Sequence, residues 1–362
     1  MNILIDIGHP AHVHMFKHFA HEMIRMGNSV LFTTQDKEFE KQLLKNEGFQ
    51  FVVIRKKHKS VIRKIIGTLH SVIRCCSIAH NFKPDVFLSH GSIIAALSAF
   101  ILRVPNIALE DTYNMEQVRL YAPFSDVIIT SDYQHGLTTH KKNLSLALYH
   151  ALLYLHPKRF SCDDGEIKKE LGLNAGERYV VVRFIAWMAT HDIGHKGISL
   201  TDKMTIVTEL SRYAKVFISS ETPLPVELEP YRLKLPPEKI HAVEANAALL
   251  FSEGSTMVEE AAMLGVPAIY VDNSGRVYTD QLERKYGLCY TFAEKDIHKA
   301  LKHATLLMQM PEKTIKAQWA EKRQKMLSEH IDPTAFLVWF MANYPQSETI
   351  IRENPEYQWK FK

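Results

Sequence analysis

The chain lacks the signatures of several common enzyme classes. Its 362 residues contain neither G-x-G-x-x-G nor a Walker A pattern, which argues against a dinucleotide oxidoreductase and a P-loop ATPase. There is no G-x-S-x-G elbow and no H-E-x-x-H zinc motif. Cysteine is scarce: Cys75, Cys76, Cys162 and Cys289 show no metal-ligand spacing. This is the usage of a reducing compartment rather than of a disulfide framework. The formal charge of +4 is too small to point to nucleic acid. Long apolar runs are missing too. The longest, near Ile93–Leu102, is too short to span a bilayer and is closed by Arg103-Val104-Pro105. The opening MNILIDIGHP reads as a first strand, not a signal peptide, so a cytoplasmic protein is expected.

What is present fits a soluble two-domain protein. The apolar fraction is 46% and the charged fraction 23%. In the first half, short apolar strands alternate with helical segments closed by Gly27 and Gly48. Predicted strands lie at Asn2–Ile7, Ser29–Thr33, Phe51–Ile54, Val86–Ser89, Ile107–Leu109 and Val127–Thr130. A helix is expected over His14–Met26. Strands that are nearly all apolar and alternate with helices indicate a parallel sheet covered on both faces. Residues 157–178 break the pattern with prolines and glycines. The alternation restarts at Tyr179–Phe184. The expected organisation is an N-terminal Rossmann-like acceptor domain at 1–156, a linker at 157–178, a second Rossmann-like domain at 179–345 and a polar, aromatic tail at 346–362. Two such α/β parallel-sheet domains facing across a cleft would place ligands at the carboxyl ends of their strands.

The chemistry-bearing residues stand just after predicted strands. The strongest case is Leu249–Asp272, which reads as strand, glycine turn, helix, strand. Gly254 makes the turn, Ser255 or Thr256 takes the N-cap, and Gly265 and Pro267 end the helix. Backbone N–H groups at such a helix start suit a phosphate. One turn on, Glu259 and Glu260 can accept hydrogen bonds from a ribose diol. An ordinary crossover with capped helix would carry the same pattern. Gly8-His9-Pro10-Ala11-His12-Val13-His14 follows the first strand. Gly8 permits a tight turn, and its three histidines offer a base near neutral pH. A metal would need a third ligand that the spacing does not place. Ser89-His90-Gly91-Ser92 ends another strand. Glu110 and Asp111 end the next, where a carboxylate can act as acid or base, while Asp111 or Thr112 would also serve as a helix cap. Arg183, His191 and Lys196 follow the first strand of the second half and offer cations to phosphate oxygens.

Taken together, IDIGHPAHVHMFK, KPDVFLSHGS, VVVRFIAWMATHDIGHKG, SEGSTMVEEAAMLGVPAIYVD and KYGLCYTF resemble the GT-B fold superfamily and, within it, domain of unknown function family 354. The superfamily holds sugar-nucleotide glycosyltransferases and the UDP-N-acetylglucosamine 2-epimerases. By resemblance to the N-acetylglucosaminyl transferase of peptidoglycan lipid synthesis, His12 matches a loop histidine at a set distance before Gly27. His9, Pro10 and Ala11 stand where that loop has glycines. Glu260 matches the ribose-binding glutamate, and Asp280-Gln281 is similar to its donor-sugar contacts. The 2-epimerases are similar around Gly91, Glu110 and Glu259-Glu260. They differ at Ser92, where they carry an aspartate, and at Phe184 and Ile185, where they carry histidine and arginine.

The expectation from residues and resemblance is a glycosyltransferase that needs no metal or other cofactor and takes a nucleotide-sugar donor. Gly8, Arg183, His191, Gly254, Ser255, Thr256, Glu260 and Gln281 would hold the donor, and His12 or Glu110 would take the proton of a glycan or lipid-linked acceptor. The resemblance implies cell-envelope or surface polysaccharide synthesis. A sugar-nucleotide isomerase or hydrolase using Glu110, and a non-catalytic sugar-nucleotide-binding protein, are the alternatives. The basic, partly apolar stretch Arg55–Lys64 is a candidate for peripheral membrane contact; a solvated loop and helix face would read alike.

Overall fold

The computed structural model describes all residues except 56–60, 113–114, 135–140, 175, 186–196, 221–222 and 274, with the side chains of 61–65 also outside the description. The chain forms two compact units, residues 1–159 with 330–362, and residues 160–329.

In the first unit, β1 (Asn2–Asp6), β2 (Ser29–Gln35), β3 (Phe51–Arg55), β4 (Val86–His90), β5 (Asn106–Glu110), β6 (Val127–Ser131) and β7 (Asn143–Leu146) form one sheet. Their order is β3-β2-β1-β4-β5-β6-β7, with every neighbouring pair parallel. Ile3, Leu4, Ile5, Phe87 and Leu88 are fully buried, as expected of strands covered on both faces. From β1 the chain steps outward to β2 and β3, then returns past β1 to β4. The strand order therefore reverses between β1 and β4, and the crevice beyond their carboxyl ends is where a ligand of such a sheet binds.

The connections include α1 (Pro10–Arg25), α2 (Glu38–Asn46), α3 (Val61–Phe82), α4 (Ile93–Leu102) and α5 (Met115–Tyr121). No described helix is long and apolar enough to cross a membrane. Helix α1 starts four residues earlier than expected. Pro10 occupies its first turn, and His9 is the cap, its Nδ1 accepting from Ala11 N at 3.2 Å. Proline suits this position because its missing N–H would have had no helical partner. The expected histidine loop is therefore the first turn of a helix.

The second unit repeats the plan with five strands, β8 (Tyr179–Arg183), β9 (Lys215–Ser219), β10 (Leu249–Ser252), β11 (Ala268–Val271) and β12 (Cys289–Phe292). All run parallel in the order β12-β11-β10-β8-β9. Here the reversal lies between β8 and β10.

The expected second-domain end at residue 345 and tail at 346–362 need correction. Residues 330–362 join the first unit. The segment PTAFLVWFMA (Pro333–Ala342) is apolar nearly all round and buries Phe336, Leu337, Phe340 and Met341. Such a helix must be enclosed. It is tied in by Thr334 Oγ1, which donates to Leu153 O at 2.7 Å, and by Asp332, which takes Arg159 at 3.0 Å. Ala147 N donates to Gln358 Oε1 at 2.8 Å, so the last residues also pack rather than trail.

Candidate functional site

The crevice between β1 and β4 is built on a buried ion pair. Asp6, the last residue of β1, takes Arg55 Nη2 at 2.5 Å and Thr33 Oγ1 at 2.7 Å on one oxygen. Ser92 Oγ donates to the other oxygen. Arg55 also donates to Ile7 O at 2.8 Å. One carboxylate thus ties together the ends of β1, β2, β3 and β4. A Cβ on Gly8 would come within 3.3 Å of Arg55 Nη1, so this glycine lets the guanidinium lie against the turn.

Above this brace lies a group of imidazoles. His12 sits in the first turn of α1, and its Nδ1 accepts from Gly8 N at 3.3 Å. Its ring lies 4.8 Å from that of His90, the last residue of β4. His90 Nε2 meets Asp111 Oδ1 at 2.8 Å, and His150 Nδ1 lies 3.9 Å from the other oxygen of Asp111. Burial, then the neighbouring His90 and His9, hold the His12 imidazole well below its usual range. It is neutral at pH 7 and able to accept a proton. Burial alone would raise the Asp111 carboxyl, but His90, His150 and His12 outweigh it and keep this group ionised. Burial lowers His150 to about 4 against the attraction of Asp111. An ionised carboxylate hydrogen-bonded to one ring nitrogen is the arrangement that orients a histidine base and stabilises its protonated form.

Glu110 is the other expected base. It is buried and accepts from Tyr121 OH at 2.5 Å and Thr112 Oγ1 at 2.9 Å. Gly91, at φ +55°, packs over it, and a Cβ there would come 3.3 Å from Glu110 Oε2 and 3.1 Å from Tyr121 Cε1. Each carboxyl oxygen thus accepts one hydroxyl, which fixes the group's orientation.

In the second unit the strand ends bring together a glycine turn, an arginine and serine hydroxyls. The helix Ser255–Leu264 follows β10, and its N-cap is Gly254, with no side-chain cap. The expected Ser255 or Thr256 cap is thus one or two residues too late. Ser255 is already helical, and its Oγ accepts from Tyr278 OH at 2.7 Å. That bond draws the helix Val277–Gln281, which ends in the half-buried Gln281, against the glycine turn. Arg183 ends β8 beside Ser252 and Ser219 and donates to Ser219 Oγ at 3.2 Å. A Cβ on Gly254 would meet Ile185 Cγ2 at 3.4 Å and Arg183 Cγ at 3.8 Å, which is ordinary contact. The fold itself therefore leaves room for a side chain at Gly254. His191 and Lys196 lie outside the described residues.

Glu260 is buried and meets His241 Nε2 at 3.1 Å. Glu244 lies beside them, 1% exposed, and neither of its carboxyl oxygens has a hydrogen-bond partner. Burial and then Glu260 push its carboxyl well up, with Arg183 opposing, which favours its protonated form. Glu253, just before the turn, accepts from Ile198 N at 2.7 Å and Ile185 N at 3.2 Å, with Lys203 Nζ at 3.7 Å. It pins both flanks of the segment after β8 to the glycine turn.

The sequence singled out His12, Gly8, Glu110, Arg183, Gly254, Ser255, Thr256, Glu260 and Gln281; the structure puts the first seven at or just after a strand end of their unit, Glu260 inside the helix Ser255–Leu264 and Gln281 at the end of the helix Val277–Gln281. It assigned no role to Asp6, His90, His150, His241, Glu244 or Glu253, gave Asp111 as an acid, a base or a helix cap, and gave Arg55 only as part of a basic stretch. His90 and Asp111 had a signal, since both follow apolar strands; their pairing needed the β4–β5 adjacency.

Comparison with known proteins places this architecture. Residues 1–143 match the sequence model of the family described as "Protein of unknown function (DUF354)". Among curated proteins, the chain is 22% identical over 323 residues to the UDP-N-acetylglucosamine–N-acetylmuramyl-(pentapeptide) pyrophosphoryl-undecaprenol N-acetylglucosamine transferase of Caldanaerobacter subterraneus, covering 82% of this chain and 86% of that protein. Among solved structures, the UDP-GlcNAc 2-epimerase of Neisseria meningitidis bound to UDP-GlcNAc superposes with a TM-score of 0.68 at 15% identity, covering 99% of this chain and 100% of that one. A glycosyltransferase from Streptomyces sp. SF2575 gives a TM-score of 0.58 at 12% identity, over 95% of this chain and 100% of that one. The fold is GT-B-like, with two parallel-sheet α/β units.

Proposed function

We propose that the chain is a glycosyltransferase that takes a sugar from a nucleotide-sugar donor. The carrying observation is the uncapped helix start at Gly254 beside Arg183, with the buried Glu260 one turn on. Gly254, Ser255 and Thr256 would give the diphosphate backbone N–H donors and the positive end of the helix dipole. Arg183 adds charge that a neutral helix end lacks. Glu260, oriented by His241, would accept from the ribose hydroxyls, and Gln281 would reach the sugar. With these groups stabilising the nucleoside diphosphate as it leaves, the reaction needs no metal ion or other cofactor.

The acceptor hydroxyl would bind at the first unit. His90 would take its proton, with Asp111 holding the ring in one tautomer and His12 lying against it. This reading puts the base at the His90–Asp111 pair rather than at His12 or Glu110, and leaves Glu110 to shape the turn at Gly91. The similarity to a transferase acting on an undecaprenol-linked substrate supports a glycan or lipid-linked acceptor. The similarity to 2-epimerases supports a second reading, isomerisation or hydrolysis of the same sugar nucleotide.

Melting curves with nucleoside diphosphates and nucleotide sugars test the common core. A ligand bound to the native state at a hundredfold excess over its Kd adds about 2.7 kcal/mol of stability. No shift with any of them sinks the reading. Labelled sugar then separates the two chemistries: a transferase consumes donor only with acceptor, whereas an epimerase alters the sugar alone.

A further inference from the structure

Three large apolar side chains of α3 point into solvent along one line: Ile66 is 61% exposed, Leu69 57% and Ile73 70%. Their spacings of three and four residues put them on one helical face. The other side of α3 already has its core, since Val72, Cys75 and Ala79 are buried against Ile94, Ala95 and Ala99 of α4. The outward stripe is therefore surplus to folding. His70 and Arg74 stand exposed beside it. On α4, which packs against α3, Phe100 is 62% and Ile101 60% exposed.

The charge of this part of the chain is one-sided. Between Glu47 and Asp85 there is no acidic residue, and besides Arg55, which is bonded to Asp6, the sequence has seven lysines and arginines: Lys56, Lys57, Lys59, Arg63, Lys64, Arg74 and Lys83. A second copy pairing through the same face would bring these like charges together. A nucleic acid would leave the apolar stripe uncovered. A helix lying flat, with an apolar line flanked by cations, fits the boundary between acyl chains and anionic headgroups.

We propose that the outer face of α3 docks the protein on an anionic lipid bilayer. The apolar stripe enters the interface, and Arg74 and His70 beside it meet the headgroups. Helix α3 leaves β3 at the carboxyl edge of the sheet, so docking through it brings the His90–Asp111 edge next to the membrane. An acceptor held in that membrane would be presented to the base without leaving the lipid.

Vesicle sedimentation of the full chain, without nucleotide, tests this independently of donor binding. Phosphatidylcholine vesicles are compared with vesicles containing about one-third phosphatidylglycerol. The expected result is binding to the anionic vesicles only, weakened by salt. Leu69→Glu with Ile73→Glu should lower it at least about tenfold. Both sites are exposed, so unchanged melting curves will show an intact fold. Leu306→Glu, an exposed apolar site in the other unit at 53%, should bind like the parent. No anionic-vesicle binding at low salt overturns the proposal. So does full binding by the double variant, or a concentration-dependent dimer that the double variant abolishes.

Discussion

The two units share a plan and differ in what they put at the end of it. Each is a parallel sheet whose strand order reverses once, and each closes that reversal with a glycine turn into a helix. At the first reversal the helix start is capped by His9 and the polar groups are imidazoles and a carboxylate bonded to one another. At the second the helix start is uncapped, an arginine stands beside it, and the carboxyls lie one turn deeper. The first arrangement can exchange a proton but gives an anion no cradle. The second offers an anion a cradle, and its carboxylate-bound histidine, His241, is buried against Glu260. A reaction that moves a sugar from a diphosphate leaving group onto a hydroxyl needs both.

The comparison breaks first if proton transfer is not confined to the first unit. His90→Ala should lower turnover by about two to four orders of magnitude, while donor affinity stays at the parent value. Asp111→Asn should also slow turnover and shift its pH profile, because the ring loses its charged partner. If either change weakens donor binding as much as turnover, the division between units is wrong.

The acid stability of the first unit is the next largest effect. The His150 imidazole titrates at about 4 when folded, against 6.5 as the ordinary value. Below pH 6.5 the unfolded chain binds a proton that the folded chain refuses, so stability falls as pH drops from 6.5 toward 4. A shift of that size corresponds to about 3 kcal/mol. His150→Phe should flatten the decline of melting temperature over this window. An equally steep decline in the variant would place the acid sensitivity elsewhere.

How much of this was legible in sequence follows the range of the interactions. The strands, the glycine turns and the polar residue after each strand are local, so period and punctuation revealed them. The GT-B-like fold came from motifs that stay contiguous. The His90–Asp111 pair did not, because 21 residues separate its members and only the pairing of β4 with β5 joins them. The same holds for Asp6 with Arg55, 49 residues apart. The return of 330–362 to the first unit was hidden for another reason. Chain order suggested that a last helix belongs to the nearest sheet, but its all-round apolar surface needed a partner that the second unit does not supply.

Donor binding offers a finer test. Arg183→Ala should weaken donor affinity by roughly ten- to a hundredfold, the range for a charge-assisted hydrogen bond. Turnover at saturating donor should change less. Gly254→Ala sharpens this. The added methyl meets only ordinary contacts, and Gly254 sits at φ −99°, which alanine adopts freely. The melting temperature should hold while a phosphate brought close to the backbone is lost. If donor affinity survives Gly254→Ala, the anion does not approach that turn.

The smallest expected effect concerns Glu244, and it asks whether the second unit keeps an acid deliberately neutral. Its folded carboxyl is held well above the ordinary value of 4.5 by burial and the nearby Glu260. Below pH 4.5 it is protonated folded and unfolded alike, and it adds no pH dependence. Above that, the unfolded chain sheds the proton while the folded chain keeps it, so stability declines as pH rises. Glu244→Gln has similar shape and no proton to lose. It should match the parent near pH 4.5 and become progressively more stable than it toward pH 8, by an amount read as the difference between the two melting curves. A difference that stays constant with pH would mean Glu244 is already ionised. The charge next to Glu260 would then be double, and a site lined by two anions would repel the diphosphate that the rest of the unit is arranged to hold.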